Sequence, residues 1–346
     1  MKKSVLLIFS ILMAVTLLVS CGGKEKEKLY VFNWGDYIDT ELITKFEEET
    51  GIEIVYEEFS TNEEMYLKIK NGGSNYDIII PSDYMISKMI KEGMLEELNY
   101  DNISNFKFID EKFRDLPFDP NNKYSVPYTW GTLGVVYNPE VIKEGITSWE
   151  DLWKEEYKNE ILMVDSMRDA LVPALIKLGY SENTTDLKEL EAARDELVRQ
   201  MKLVNPIYVG DQGKTMLLQG EGSIFLTWSG EAGQIQANDD KFVYVIPKEG
   251  SNKWFDNMCI PKGAQNKEAA EKFIDFMTRP EVAAQNIEYI EYSTPNKEAF
   301  KLLSEEVQNN KTSYPDDEIL EKCEVFIDLG DFVEEYNRVW TEVKVK

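Results

Sequence analysis

The chain has 346 residues, 43% hydrophobic and 12% aromatic, with 38 Lys and Arg against 64 Asp and Glu for a formal net charge of −26. That length exceeds the roughly 250–300 residues at which a single core stops growing, so two domains are expected, and the apolar content excludes a disordered acidic tail. The absence of any histidine excludes His-based triads, HExxH zinc sites and imidazole general bases; three cysteines exclude Cys-rich zinc sites and a disulfide framework; the acidic balance argues against nucleic acid as a partner.

Lys2 and Lys3 precede an apolar run from Val5 to Val19, broken only by Ser10 and Thr16. A basic start with an apolar stretch of this length describes a secretory signal, since a membrane span needs about 20 apolar residues. The run ends in Leu18-Val19-Ser20-Cys21, which resembles the bacterial lipoprotein box. The resemblance implies a signal peptide over 1–20, cleavage before Cys21 and a lipid on its thiol; the alternatives are an ordinary cleavage site or a short anchor helix. Residues 21–28, with Gly22-Gly23 and alternating Lys and Glu, form a solvated tether. The protein is therefore expected outside the cytoplasmic membrane, in the periplasm or at the cell surface, held by lipid. Cys259 lies in the apolar run Met258-Cys259-Ile260 and is expected as a buried thiol rather than half of a bridge.

Leu29–Trp34 reads as a short strand, after which Asp39 caps a helix running to Thr50 and Gly51 stops it. Ile52–Glu57 is a second strand. Thr61-x-x-Glu64 is a capping box opening the next helix, closed by Gly72-Gly73. Tyr76–Ile80 is a third strand, followed by a helix to about Glu92. This alternation argues for an α/β domain with a largely parallel sheet buried on both faces. The stretch from Asp101 to Lys123, with Pro117 and Pro120, reads as loop, and Gly131–Asn138 as a long strand crossing into a second domain. That domain repeats the scheme, with strands near Ile161–Val164, Ile207–Val209, Ser223–Trp228 and Phe242–Ile246 and helices over Arg168–Leu178 and Asp186–Met201. Lys267–Thr278 is a further helix, ended before Arg279-Pro280. The run Gly210-Asp211-Gln212-Gly213-Lys214-Thr215 ends like a phosphate-binding loop, but the pattern needs glycine at Tyr208, so it is read as a helix start after a short strand.

Four strand ends carry an aromatic ring and a carboxylate within three residues of each other: Trp34-Gly35-Asp36-Tyr37, Pro81-Ser82-Asp83-Tyr84, Trp228-Ser229-Gly230-Glu231 and Trp254-Phe255-Asp256. A fifth, after Ile161–Val164, carries Asp165 and Asp169. Ligands of open α/β sheets bind beyond the carboxyl ends of the strands, so these residues are candidates to converge on one cleft. An aliphatic ammonium suits such a wall, gaining roughly 0.5–2 kcal/mol over an aromatic face. Each carboxylate hydrogen bond to it adds roughly 1.5–3 kcal/mol. A polyamine carries several ammoniums along an apolar chain, and the negative charge of the protein raises its encounter rate with a polycation. A sugar competes, because Trp stacks on pyranose rings and Asp accepts from hydroxyls. Each motif alone also fits a structural role, the ring packing and the acid capping a helix. An exported hydrolase built on two carboxylates, such as Asp165 and Asp169, is the remaining alternative, without a sequence feature that favours it.

At these motifs the chain resembles the polyamine-binding (spermidine/putrescine) members of the bacterial ABC-transporter solute-binding proteins. The resemblance runs from Leu29 to the C-terminal helix through LYVFNWGDY (29–37), YDIIIPSDY (76–84), PFDPNNKYSVPYTWGTLGVVYN (117–138), TSWEDLW (147–153), KLGYSENTTD (177–186), IPKEG (246–250), WFDNMCIPKGAQNKEAA (254–270) and STPN (293–296). It implies an α/β, two-lobed periplasmic-binding-protein-like fold, each lobe a sheet flanked by helices, with the ligand cleft between them. The expected lobes are 29–133 plus about 248–300, and 134–247 plus about 301–346. Carried over by residue, the aromatic walls are Trp34, Tyr37, Tyr84, Trp228, Trp254 and Tyr292. The amine-binding acids are Asp36, Asp169 and Asp256, with Ser82 as a polar contact and Asp256 as the principal ammonium acceptor. The resemblance implies a monomer that binds a polyamine and hands it to a membrane permease, with no catalysis, metal or cofactor. The chain departs from the pattern at Ser166, where an acid is usual, at Asp169, shorter than the usual Glu, at Phe326 for Gln and at Gly35 for Thr. Glu231, beside Trp228, is a candidate to supply a substitute charge.

Overall fold

The computed structural model describes residues 26–72, 75–210 and 212–345. The expected signal peptide, Cys21 and most of the tether lie outside the described residues. Strand β1 (Lys28–Trp34) is buried on both faces: Leu29 and Val31 enter one core while Phe32, pointing the other way, enters a second. Asp39 caps helix α1 (Thr40–Thr50) by accepting from the Glu41 N–H, and Gly51 ends it in the left-handed region at φ 75°. Strand β2 (Glu53–Phe59) runs parallel to β1. Helix α2 (Asn62–Lys70) begins at Thr61, whose hydroxyl accepts from the Glu64 N–H at 3.1 Å. The expected reciprocal bond is displaced by one residue, since Glu64 Oε2 accepts from the N–H of Ser60 at 3.0 Å. Strand β3 is only Ile78–Ile79, shorter than expected because the Asp77 carboxylate accepts from the Tyr30, Gln265 and Asn266 N–H groups where a ladder would continue. Helix α3 (Asp83–Lys91) follows.

Residues 101–123 hold short 3-10 turns, and strand β4 (Ser125–Tyr137) begins six residues before the expected Gly131. Pro127 is accommodated there at an irregularity in the ladder, between Pro127 and Thr129. All of β4 is buried, and it belongs to two ladders. Ser125 to Thr132 pair antiparallel with β9 (Lys253–Cys259), whereas Leu133 to Tyr137 pair antiparallel with β7 (Ile224–Trp228), joined over Val135–Tyr137 by β8 (Val243–Val245).

The second lobe adds β5 (Ile161–Val164) and β6 (Ile207–Val209), parallel to each other, with β5 also parallel to β7. Its helices are α4 (Met167–Lys177), α5 (Leu187–Val204), α6 (Gly213–Leu218) and α7 (Ser229–Asn238). Helix α6 starts three residues beyond Gly210, as the reading of 210–215 as a helix start requires. After β9 come α8 (Lys267–Met277), α9 (Pro280–Ile290) and three short helices, α10 (Lys297–Leu302), α11 (Glu305–Asn309) and α12 (Asp317–Leu320). The last is α13 (Val333–Lys344). Among the described residues the strands form one sheet in the order β2-β1-β3-β9-β4-β7-β5-β6, with β8 attached to β4.

The packing divides this sheet into two lobes. One core runs from Leu133 to Phe242 and takes in Phe326, Leu329, Tyr336, Val339 and Val343. The other lobe has a core on each face of its half of the sheet, drawn from 29–130 and 254–303. The return to the second lobe falls later than the expected 300: Leu303 is in the first lobe's core, with Val307, Tyr314 and Leu320 packed on it. The three crossings lie side by side. Leu133 donates its N–H to Asn252 O, Glu324 to Ser251 O and Lys253 to Glu324 O, so β4, the link before β9 and the link before Phe326 are tied together. Cys259 and Cys323 are free and buried.

Candidate functional site

A cleft of about 840 Å³ opens between the lobes. From the first lobe it is lined by Trp34 and Tyr37 beyond β1, Ser82 and Tyr84 beyond β3, Trp254 and Asp256 on β9, and Tyr292 after α9. From the second come Asp169 after β5, Trp228 and Glu231 at the end of β7, and Gly210 after β6. The carboxyl ends of the parallel strands thus face one crevice. Two glycines let the rings reach it. A Cβ at Gly230 would collide with the Tyr292 ring, and one at Gly131 with the Trp254 ring and Ser229 Oγ.

Asp256 is buried at the cleft wall, 5% exposed. Ser82 Oγ donates to its Oδ1 at 2.6 Å, and Tyr37 OH to its Oδ2 at 2.7 Å. Asn62 Nδ2 in turn donates to Ser82 at 3.0 Å. Because Tyr37 has spent its one proton on Asp256, the 2.5 Å contact with Thr129 is a bond from Thr129 to Tyr37. Every donor in this chain points toward the carboxylate. Burial nevertheless pushes the Asp256 carboxyl up to about 6, the Ser82 and Tyr37 bonds acting against it and the charge of Asp169 with it. Tyr292 stands edge-on to Trp254 and Tyr37, with ring centroids 5.4 and 5.1 Å away. Tyr37 therefore supports Asp256 from within the first lobe's core as well as bordering the cleft.

Across the cleft Asp169 sits in the first turn of α4 and is also buried. Ser166 Oγ donates to its Oδ2 at 2.5 Å and Trp228 Nε1 to its Oδ1 at 3.3 Å. Burial raises its pKa, opposed by those two donors and the nearby Arg168 charge. Glu231 accepts from Thr227 Oγ1, on the strand that carries Trp228. Among the described residues no Lys or Arg nitrogen lies within 4.0 Å of the carboxylates of Asp169 or Asp256. The cleft therefore presents buried carboxylates between aromatic rings, and its one buried cation, Arg168, forms no ion pair with either acid among the described residues. No group of three or more His, Cys, Asp or Glu placed to hold a metal occurs among the described residues.

Ten of the eleven expected contact residues border the cleft, and Asp36 does not. Its backbone turns through φ 50° after β1, which sends the side chain out to solvent, 84% exposed and 3.9 Å from Lys214 Nζ, while Trp34 and Tyr37 face inward. Asp83, the acid of the second motif, is wholly buried and accepts from the Phe255 and Tyr84 N–H groups at 3.0 and 2.6 Å, so it fastens β9 to α3. Asp165 lines the cleft but is paired with Lys344 at 2.5 Å. The residues missed by motif reading include Glu63, Arg168, Asn337 and Trp340, all of which line the cleft. Trp340 and Asn337 lie on α13, more than 100 residues from any motif of the same wall, so only the fold brings them in. Arg168 adjoins Asp169 in sequence; its guanidinium lies 4.2 Å over the Phe326 ring and donates to Asn183 Oδ1, Ile327 O and Glu182 O.

A profile of the bacterial extracellular solute-binding protein family matches residues 41–315. The spermidine/putrescine-binding periplasmic protein of Salmonella typhimurium is 42% identical over 324 residues, 93% of this chain and 93% of its own. The solved structure of the spermidine/putrescine ABC transporter substrate-binding protein of Streptococcus pneumoniae is 46% identical and superposes with a TM-score of 0.81, covering 92% of this chain and 99% of that one. A lipoprotein of Treponema pallidum, 28% identical, superposes at 0.84 over 92% of this chain and 100% of its own. With its two lobes, the cleft between them and these relatives along nearly its whole length, the chain belongs to the bacterial extracellular solute-binding proteins, a family that binds solutes for ABC transporters and is not enzymatic.

Proposed function

We propose that this protein captures a polyamine, spermidine or putrescine, between its lobes and delivers it to an ABC permease in the cytoplasmic membrane, while a lipid on Cys21 holds it at the membrane surface. The observation that carries the ligand class is the pair of buried carboxylates, Asp256 and Asp169, enclosed by aromatic rings and with no Lys or Arg nitrogen within 4.0 Å among the described residues. A buried carboxylate is costly unless a positive group joins it. A protonated amine supplies that group, and the methylene chain between two amines fits against Trp34, Trp228, Trp254 and Tyr292. A sugar would leave both charges uncompensated. The names of the relatives point to the same ligands. The lipid rests on the Leu18-Val19-Ser20-Cys21 box, and one relative is itself called a lipoprotein.

Closure follows from the division of contacts. A ligand that touches both walls binds the closed state better than the open one and shifts the population by that difference. Replacing Asp256→Asn removes the charge while keeping the shape. Calorimetric titration is expected to show polyamine affinity reduced tenfold or more, in line with a lost charge-assisted bond. An unchanged dissociation constant would remove Asp256 from the site.

A further inference from the structure

Glu63 stands in the first turn of α2 in the first lobe, and Asp169 in the first turn of α4 in the second; both line the cleft. Tyr84 OH donates to Glu63 Oε1 at 3.0 Å, which holds that carboxylate at the wall. Asp169 is held in the same way by Ser166 and Trp228. Neither acid has a Lys or Arg nitrogen within 4.0 Å among the described residues. Arg168, whose charge opposes the rise of Asp169, spends its hydrogen bonds on Asn183, Ile327 and Glu182 acceptors of its own lobe and lies over the rings of Phe326 and Tyr84, so it is ion-paired with neither acid. The charge of Glu63 is close enough to raise Asp169 further than its burial alone does.

We propose that Glu63 is a ligand-binding residue, and that Glu63 and Asp169 together clamp one terminal primary ammonium of the polyamine between the two lobes. This rests on the polyamine reading above. With the cleft empty, two like charges fixed on opposite lobes repel and favour separation. A primary ammonium has three N–H donors, enough to bond both carboxylates at once and turn repulsion into attraction. A second ammonium of the same molecule then lies at Asp256. Ser166, which donates to Asp169 and carries no charge, leaves Glu63 as the second acid at this end. The clamp thus requires a ligand with an ammonium at each end of its chain.

The test compares putrescine with 4-amino-1-butanol, which has the same length and a hydroxyl in place of one ammonium. Both are titrated calorimetrically into the wild-type protein and Glu63→Gln. The wild type is expected to bind putrescine, and E63Q to bind it at least tenfold more weakly. The penalty for replacing the ammonium by a hydroxyl is expected to shrink at least tenfold in E63Q, which a merely structural role would not produce. Equal putrescine affinity in the two proteins, or an unchanged penalty, overturns the clamp and leaves the polyamine reading intact. A wild type that binds neither putrescine nor spermidine overturns both. If E63Q does not fold, Glu63→Asp is measured by the same cycle; it keeps the charge with shorter reach, and an affinity equal to wild type overturns the proposal.

Discussion

Asp256 and Asp36 come from the same kind of motif, an acid beside an aromatic at a strand end, and their fates differ because of one backbone turn. Asp256 lies within β9, so the strand fixes its direction and Ser82, Tyr37 and burial do the rest. Asp36 lies in a turn with positive φ and points away. The Asp256 carboxyl is raised from an ordinary value of 3.8 to about 6. The ligand-free fold holds that proton more tightly than the unfolded chain, so this group adds stability as the pH falls from about 6 toward 3.8 and withdraws it above 6. Ligand binding has the opposite sign, since an ammonium favours the ionised carboxylate. Polyamine affinity is therefore expected to fall by up to about tenfold per pH unit below 6, with protons released on binding near that pH. Titrations in buffers of different ionisation enthalpy measure that release directly. An affinity constant from pH 7 down to 5 would contradict a titrating acid at the centre of the site.

At the scale of elements, the turn at the end of β7 places Trp228 and Glu231 and has no room for a side chain at Gly230, where a Cβ would meet the Tyr292 ring. Gly230→Ala is expected to cost about 1–3 kcal/mol by overpacking and to displace Tyr292 from the Trp254 and Tyr37 edges. Thermal melting and polyamine titration should fall together; a variant with wild-type melting and affinity would show that the ring is free to move. Most elements were legible because their patterns are local: the Asp39 cap, Gly51, the helix from Lys267 and the strands from Ile161 and Ile207 fall within a residue or so of expectation. Strand β4 was only half legible, because a proline argues against a central strand and Pro127 is admitted only by an irregularity in the ladder. Strand β3 was overextended, because the Asp77 side chain replaces backbone pairing there. Rings and acids at strand ends singled out Trp34, Tyr37, Tyr84, Trp254 and Asp256, which border the cleft, whereas Tyr292 entered only through the family resemblance and Asp36 turns away from the cleft. Glu63 looked like an ordinary first-turn acid, and Asn337 and Trp340 lie on a distant helix.

Over the whole molecule, β4 is shared by both lobes and the other two crossings are bonded beside it, so relative motion of the lobes is confined to one narrow seam. The segment 301–320 belongs by packing to the first lobe, and the last crossing comes only near Glu324. Sequence pattern gave no sign of this, since short polar helices look alike on either lobe. In the mechanism proposed above, acids on both sides of the cleft make closure depend on a cation that reaches both walls. The most direct measurement is a thermal-shift series with putrescine, spermidine, spermine, sugars and amino acids. A ligand at a hundred times its dissociation constant adds about 2.7 kcal/mol of stability. Polyamines alone are expected to raise the melting temperature. A response to a sugar or an amino acid with none to any polyamine would contradict the account.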